Sequence, residues 1–200
     1  MVTRLLALAL YRALITATVF SAFIKCPTKA YLLAIGEHIP EAYFADIHAR
    51  TAFLYKASAK RRPRVGTEIA ELVNFGELWR TPNDPTVTHE VDCETAVYNL
   101  AVPQSKPRGR QGTFIPVLFS PWDKLDLSDK LLVCFGALSL SQATGILAGT
   151  GTLIYGDGYR RRTVKIADHV AQTREIINAI GSIHRSWEQP PLILNNHCAV

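Results

Sequence analysis

The sequence predicts a mixed α/β (α+β) fold, a central sheet flanked by helices behind a helical N-terminal part. Three observations predict it. Helical spacing of apolar residues dominates residues 1–60. Strand-like runs begin near residue 86, and an apolar helical stretch separates the later runs. The order helices, strand, strand, helix, strand pair, helix is that of a mixed sheet with helices packed on it. The 200 residues are 48% hydrophobic and 20% charged, too apolar for a disordered chain and enough to bury a core without staples. We expect one structural domain overall, divided into a helical region, 1–85, and a core, 86–200.

The N-terminal stretch has Arg4 before Leu5–Leu10 and then Tyr11-Arg12. An export signal and a membrane anchor both need a longer uninterrupted apolar run, and Arg12 falls near the middle. A structural helix is therefore expected, and Ile15, Val19, Phe20, Phe23 and Ile24 give it an apolar stripe that suits packing on a sheet. A break is expected at Cys26-Pro27, because proline disfavours helix in the residue before it. A short helix resumes over 28–34 and stops at Gly36. Residues 41–60 read as a helix whose apolar side is Tyr43, Phe44, Ile47, Phe53 and Leu54. The basic run Lys60, Arg61, Arg62 and Arg64 follows, read as a solvated turn or a phosphate contact.

From Thr86 the alternation of Val87, His89 and Val91, followed by Asp92 to Tyr98, reads as a strand. Residues 104–112 form a basic Gly/Pro loop, and 114–119 (FIPVLF) a buried strand with an early proline, the two strands making a hairpin. Ser128 is the expected N-cap of the next helix, with Asp129 in its first turn. Leu131, Leu132, Phe135, Leu138 and Gln142 run at helical spacing toward Gly145. That helix is apolar nearly all round, so it is expected to be central. Residues 152–155 and 159–166 form a second hairpin, with Gly156 and Gly158 supplying the turn's positive φ. Asp168 is the expected cap of a last helix, with Val170, Ile176, Ile177, Ile180 and Ile183 inward, ended by Pro190-Pro191.

The formal charge of +5 permits a polyanion partner. Cys26, Cys93, Cys134 and Cys198 form no CxxC pair, which argues against a disulfide scaffold and for a reducing cytoplasm. The six histidines show no HxH or HExxH spacing, which disfavours a zinc hydrolase. No P-loop and no helix-turn-helix, zinc-finger or RRM signature is visible.

Two stretches carry a family signature: residues 22–32, with Phe23, Cys26, Lys29 and Tyr31, and residues 190–198, ending Asn195-Asn196-His197-Cys198. Between them Ile115–Phe119 and Asp129–Leu132 fall at matching places. Together these resemble the RecB-like nucleases of the PD-(D/E)xK superfamily, in the iron–sulfur branch related to CRISPR-associated exonucleases. The resemblance implies a restriction-endonuclease-like core and metal-dependent phosphodiester hydrolysis on single-stranded DNA, in repair, recombination or defence. It implies Mg²⁺ or Mn²⁺ held by Asp92 and Glu94, which two apart on a strand share one face. The metal acidifies a water and offsets charge building on the phosphate. A (D/E)xK would fall at Ile115-Pro116-Val117, where neither acid nor lysine stands; Asp123 and Lys124 are the nearest, and Lys130 opens the helix. Lys124 is the assigned lysine, Gln142 matches the family's helical glutamine, and Glu68 or Glu71 an upstream acid. Cys26 and Cys198 match two of the four ligands of a [4Fe–4S] cluster, so the resemblance implies a C-terminally truncated chain with an incomplete cluster. Cys93 and Cys134 read as buried hydrophobes. DNA is the implied partner, with a helicase or a further C-terminal domain, and no membrane. Arg61, Arg62, Arg160, Arg161 and Arg162 are the candidate DNA contacts, with Lys165, Arg108 and Arg110 extending them. The alternative is a catalytically inactive nucleic-acid-binding relative.

Overall fold

The computed structural model describes residues 15–37, 43–61, 101–103, 114–144, 146–186 and 188–192. In chain order these form α1 (Ala17–Lys25), α2 (Pro27–Ala34), α3 (Tyr43–Lys60), β1 (Ala101–Pro103), β2 (Phe114–Ser120), α4 (Leu127–Thr144), β3 (Thr150–Tyr155), β4 (Arg160–Lys165) and α5 (Val170–Ser186). The strand order is β1-β2-β3-β4. β1 and β4 run antiparallel to their neighbours, and β2 and β3 run parallel, joined through α4. The mixed sheet expected from the element order is present.

The break at Cys26 is as expected. Thr16 caps α1, its hydroxyl accepting from the Val19 amide at 3.1 Å. Cys26 is extended, and Pro27 opens α2, where its missing N–H costs nothing. Gly36, at φ +73°, stops α2. α1 packs on α4 and α5 rather than on the sheet. α4 already covers that face of the strands, so Phe20 stacks on Phe135 instead, with centroids 4.5 Å apart. The main core joins Ile15, Val19 and Phe20 to Leu118, Leu131, Phe135, Leu153, Val164 and Ile180. α4 is central, as its all-round apolarity predicts: Leu131, Val133, Cys134, Phe135, Ala137 and Leu140 are all buried.

Four local expectations are corrected. The cap of α4 is Asp126 rather than Ser128. Its carboxylate accepts from the Asp129 amide at 3.1 Å, while the Asp129 carboxylate accepts from the Asp126 amide at 2.9 Å, a reciprocal capping box. Ser128 lies one residue inside the helix and donates its hydroxyl to Asp126. Asp168 caps nothing: Ile166 is buried and its amide bonds to the Gly149 carbonyl, so the chain turns through a 3₁₀ segment, Ile166–Asp168, before α5 begins. Phe53 and Leu54 are exposed, at 71% and 57%. α3 instead turns Tyr55 and Ala59 to the second face of the sheet, against Val117, Phe119 and Ile154. In the β3–β4 turn Gly156 takes φ +67°, but the second positive φ belongs to Tyr159 rather than Gly158.

The sheet is thus covered on one face by α4, with α1 and α5 behind it, and on the other by α3. The strand expected at 86–98 lies outside the described residues; the strand that pairs with β2 is Ala101–Pro103. Pro116 is the last β2 residue on the β1 ladder, and the β3 ladder begins at Val117, so the proline stands where both ladders end. Among the described residues no helix is long and apolar enough to cross a membrane.

Candidate nucleic-acid interface

β4 reads Arg-Arg-Arg-Thr-Val-Lys, and only Val164 of the six is buried. Among the described residues β4 is one edge of the sheet. Its register sets the faces: Arg162 stands opposite Leu153 and Arg160 opposite Tyr155, on the α4 side, while Arg161 stands opposite Ile154, on the α3 side. The three guanidinium groups therefore flank the edge on both faces, all exposed. Such an edge resists pairing with another strand and presents dense positive charge to solvent.

The hairpin tip is held from two sides. On one, the Tyr55 hydroxyl of α3 donates to the Gly156 carbonyl at 2.8 Å, and its ring stacks on Tyr159 with centroids 4.9 Å apart. Burial, then the charge of Tyr159, Asp157 and Asp123, pushes the Tyr55 hydroxyl well above its ordinary pKa, so it stays a donor. On the other, the loop after β2 folds against the turn. The Gly156 amide bonds to the Ser120 carbonyl at 3.2 Å, and Asp123 Oδ1 meets Arg160 Nη2 at 2.6 Å. Both partners of this ion pair are more than half exposed, so it is worth about 0.2–1 kcal/mol and acts chiefly on orientation. The Arg160 guanidinium also lies over the Tyr155 ring, 4.8 Å from its centroid.

Of the residues anticipated from sequence, this geometry gathers Arg160, Arg161 and Arg162 on one strand, and Lys124 follows Asp123, the partner of Arg160, in the loop after β2. Lys124 is exposed. Arg61 is exposed just past α3, six helical residues or about 9 Å along the axis from Tyr55. Gln142 stands near the far end of α4, fifteen residues or about 22 Å from its start, so it does not converge with Lys124. Asp92, Glu94, Arg62 and Cys198 lie outside the described residues, as do Glu68, Glu71, Arg108 and Arg110. Sequence reading missed Tyr55 and Tyr159 as clamps of the tip, because their meeting across 104 positions leaves no local signal.

Cys26 is buried at the α1–α2 junction. Cys134 is buried and donates its thiol to the Ile166 carbonyl at 3.8 Å, and burial pushes its pKa up. Cys93 lies outside the described residues, as Cys198 does. Among the described residues no three His, Cys, Asp or Glu side chains gather as a metal site. No model of a known protein family matches the chain, and no curated protein matches it.

Proposed function

We propose that this chain is a nucleic-acid-binding α/β domain whose sheet is that of a RecB-like, restriction-endonuclease-like core, acting in the cytoplasm. One observation carries the binding reading: three consecutive arginines on an exposed edge strand, one of them oriented by Asp123 and Tyr155. Guanidinium groups on a strand alternate in face, and their spacing suits the charged backbone of a nucleic acid rather than one small anion. The order strand, strand, helix, parallel strand supports the core assignment, together with the terminal motifs. On this reading Asp92 and Glu94 would hold Mg²⁺ or Mn²⁺, which would acidify a water and offset charge on the phosphate, and Lys124 helps orient or deprotonate the nucleophile.

A second reading has its own support. β2 carries no acid and no lysine, and Pro116 and Val117, at the positions the motif requires, are buried. That favours a relative that binds without cutting. One experiment separates the readings. Binding of labelled DNA is followed by anisotropy over a salt series, and cleavage by gel with Mg²⁺ or Mn²⁺. The binding reading predicts that log affinity falls linearly with log salt, with a slope that shrinks by about one for each arginine to alanine change at 161 or 162. Affinity indifferent to salt and to both changes overturns it. Metal-dependent cleavage lost in D92A/E94A supports the nuclease, and binding with no cleavage under either metal supports the inactive relative.

A further inference from the structure

α3 turns Tyr55 and Ala59 toward the sheet, against Val117, Phe119 and Ile154. At about 100° per residue, Arg50, Phe53 and Leu54 fall on the opposite side of the same helix, and all three are exposed. Phe53, at 71%, is the most exposed large hydrophobic side chain among the described residues, and Leu54 stands beside it at 57%. Arg61, also exposed, follows the last helical residue. The charge on this stretch has one sign. From 47 to 67 the sequence holds Arg50, Lys56, Lys60, Arg61, Arg62 and Arg64, and neither Asp nor Glu.

We infer that the outer face of α3 docks on an anionic lipid surface, with Phe53 and Leu54 entering the headgroup layer and the basic groups around them meeting the lipid charges. A basic helix with an apolar face is the pattern of a segment that lies in a membrane interface. A nucleic-acid backbone accounts for the charge but offers no partner to an outward phenylalanine and leucine. A second copy of α3 would bring arginine toward arginine, and like charges across an interface repel. A protein groove must match a convex helix in shape, whereas a bilayer interface accepts it as it stands. The docking is peripheral, since no helix among the described residues is long and apolar enough to cross a membrane. Cytoplasmic leaflets carry the anionic lipids this face requires. The inference is independent of the nucleic-acid reading, which uses β4 on the sheet edge.

The test uses the full chain and two kinds of vesicle, phosphatidylcholine alone and phosphatidylcholine with phosphatidylserine at about 3:1. Partitioning is read by flotation, and DNA binding by anisotropy. The chain is expected to favour the phosphatidylserine vesicles. Phe53→Ala with Leu54→Ala is expected to weaken that partitioning at least about tenfold, and Arg50→Gln about fivefold. Both variants are expected to bind DNA as the wild type does. Phe53→Trp keeps the partitioning, because tryptophan suits the interface. The exposure of these residues predicts that every variant folds, and a thermal melt checks it. Arg161→Ala with Arg162→Ala is expected to weaken DNA binding and spare the vesicles, so the two readings fall separately. Equal partitioning into both vesicles, or partitioning unchanged in the Phe53, Leu54 double variant, overturns the inference. A chain that ignores both vesicles also overturns it. In that case light scattering after gel filtration assigns the face: a dimer lost in the double variant means a second copy, and a monomer means an acidic protein.

Discussion

Asp126 and Asp129 close the N-terminus of α4 on each other, and their titrations oppose. Burial pushes the Asp126 carboxyl up, but hydrogen bonds from Ser128 and the Asp129 amide outweigh it and leave the group below its ordinary pKa. Its stabilisation is present above the unfolded-state value of about 4 and is lost as pH falls through the lower folded value. Burial raises Asp129, so its contribution is present below that unfolded value and lost as pH rises through the folded one. Asp126→Ala is expected to cost about 1 kcal/mol at neutral pH, and Asp126→Asn much less, because asparagine caps as well as aspartate. Asp126→Asn should also flatten the acid-side loss; melting temperatures at neutral pH and below pH about 4 check both points. Ser128 was the expected cap because serine is a good one. The choice between two adjacent capping residues depends on where the chain leaves the sheet, which no residue type announces.

At the scale of elements, α3 is fastened to the hairpin through Tyr55 rather than through the apolar pair Phe53-Leu54. The helix has apolar residues on more than one side, and the sheet surface formed by Val117, Phe119 and Ile154 selects the small Ala59 and the amphipathic Tyr55. Tyr55→Phe keeps the stack on Tyr159 and removes one of the two donors to the Gly156 carbonyl, the Tyr159 amide at 3.0 Å remaining, so it is expected to cost about 1 kcal/mol. The raised hydroxyl has a signed consequence: the bond contributes fully below the unfolded tyrosine value of about 10 and is lost as pH rises through the higher folded value. Chemical denaturation of the wild type and Tyr55→Phe should therefore converge at strongly alkaline pH; a constant gap would show that the hydroxyl bond is not the source.

For the whole molecule, the main core forms where α4 meets the strands and α1 and α5 pack behind it, and Phe20 is a large contribution to it from the N-terminal region. Phe20 is fully buried and stacked on Phe135. Phe20→Ala is expected to destabilise by about 3–5 kcal/mol, the range for deleting a buried aromatic ring, read from the denaturant midpoint at unchanged slope. A much smaller loss would mean that α1 is not integral to the fold. The arginine edge lies outside this core, so changes at Arg161 and Arg162 should alter binding and leave the melting temperature nearly unchanged.

What the sequence alone determined is local. The break at Cys26-Pro27, the stop at Gly36, the tight turn at Gly156 and the central, largely apolar α4 follow from backbone sterics and from the water-avoiding surface of a short segment, and all four are present. The arginines of β4 were legible as a cationic hairpin because consecutive charges on a strand resist burial, and all three are exposed. Tertiary structure alone decided which side of α3 is buried, that α1 rests on helices, that Asp126 and not Ser128 caps α4, and that Asp123 of the loop after β2 pairs with Arg160 of β4. Each of these depends on which surface reaches a segment first, a property of the assembled layers that is absent from any stretch of chain taken alone.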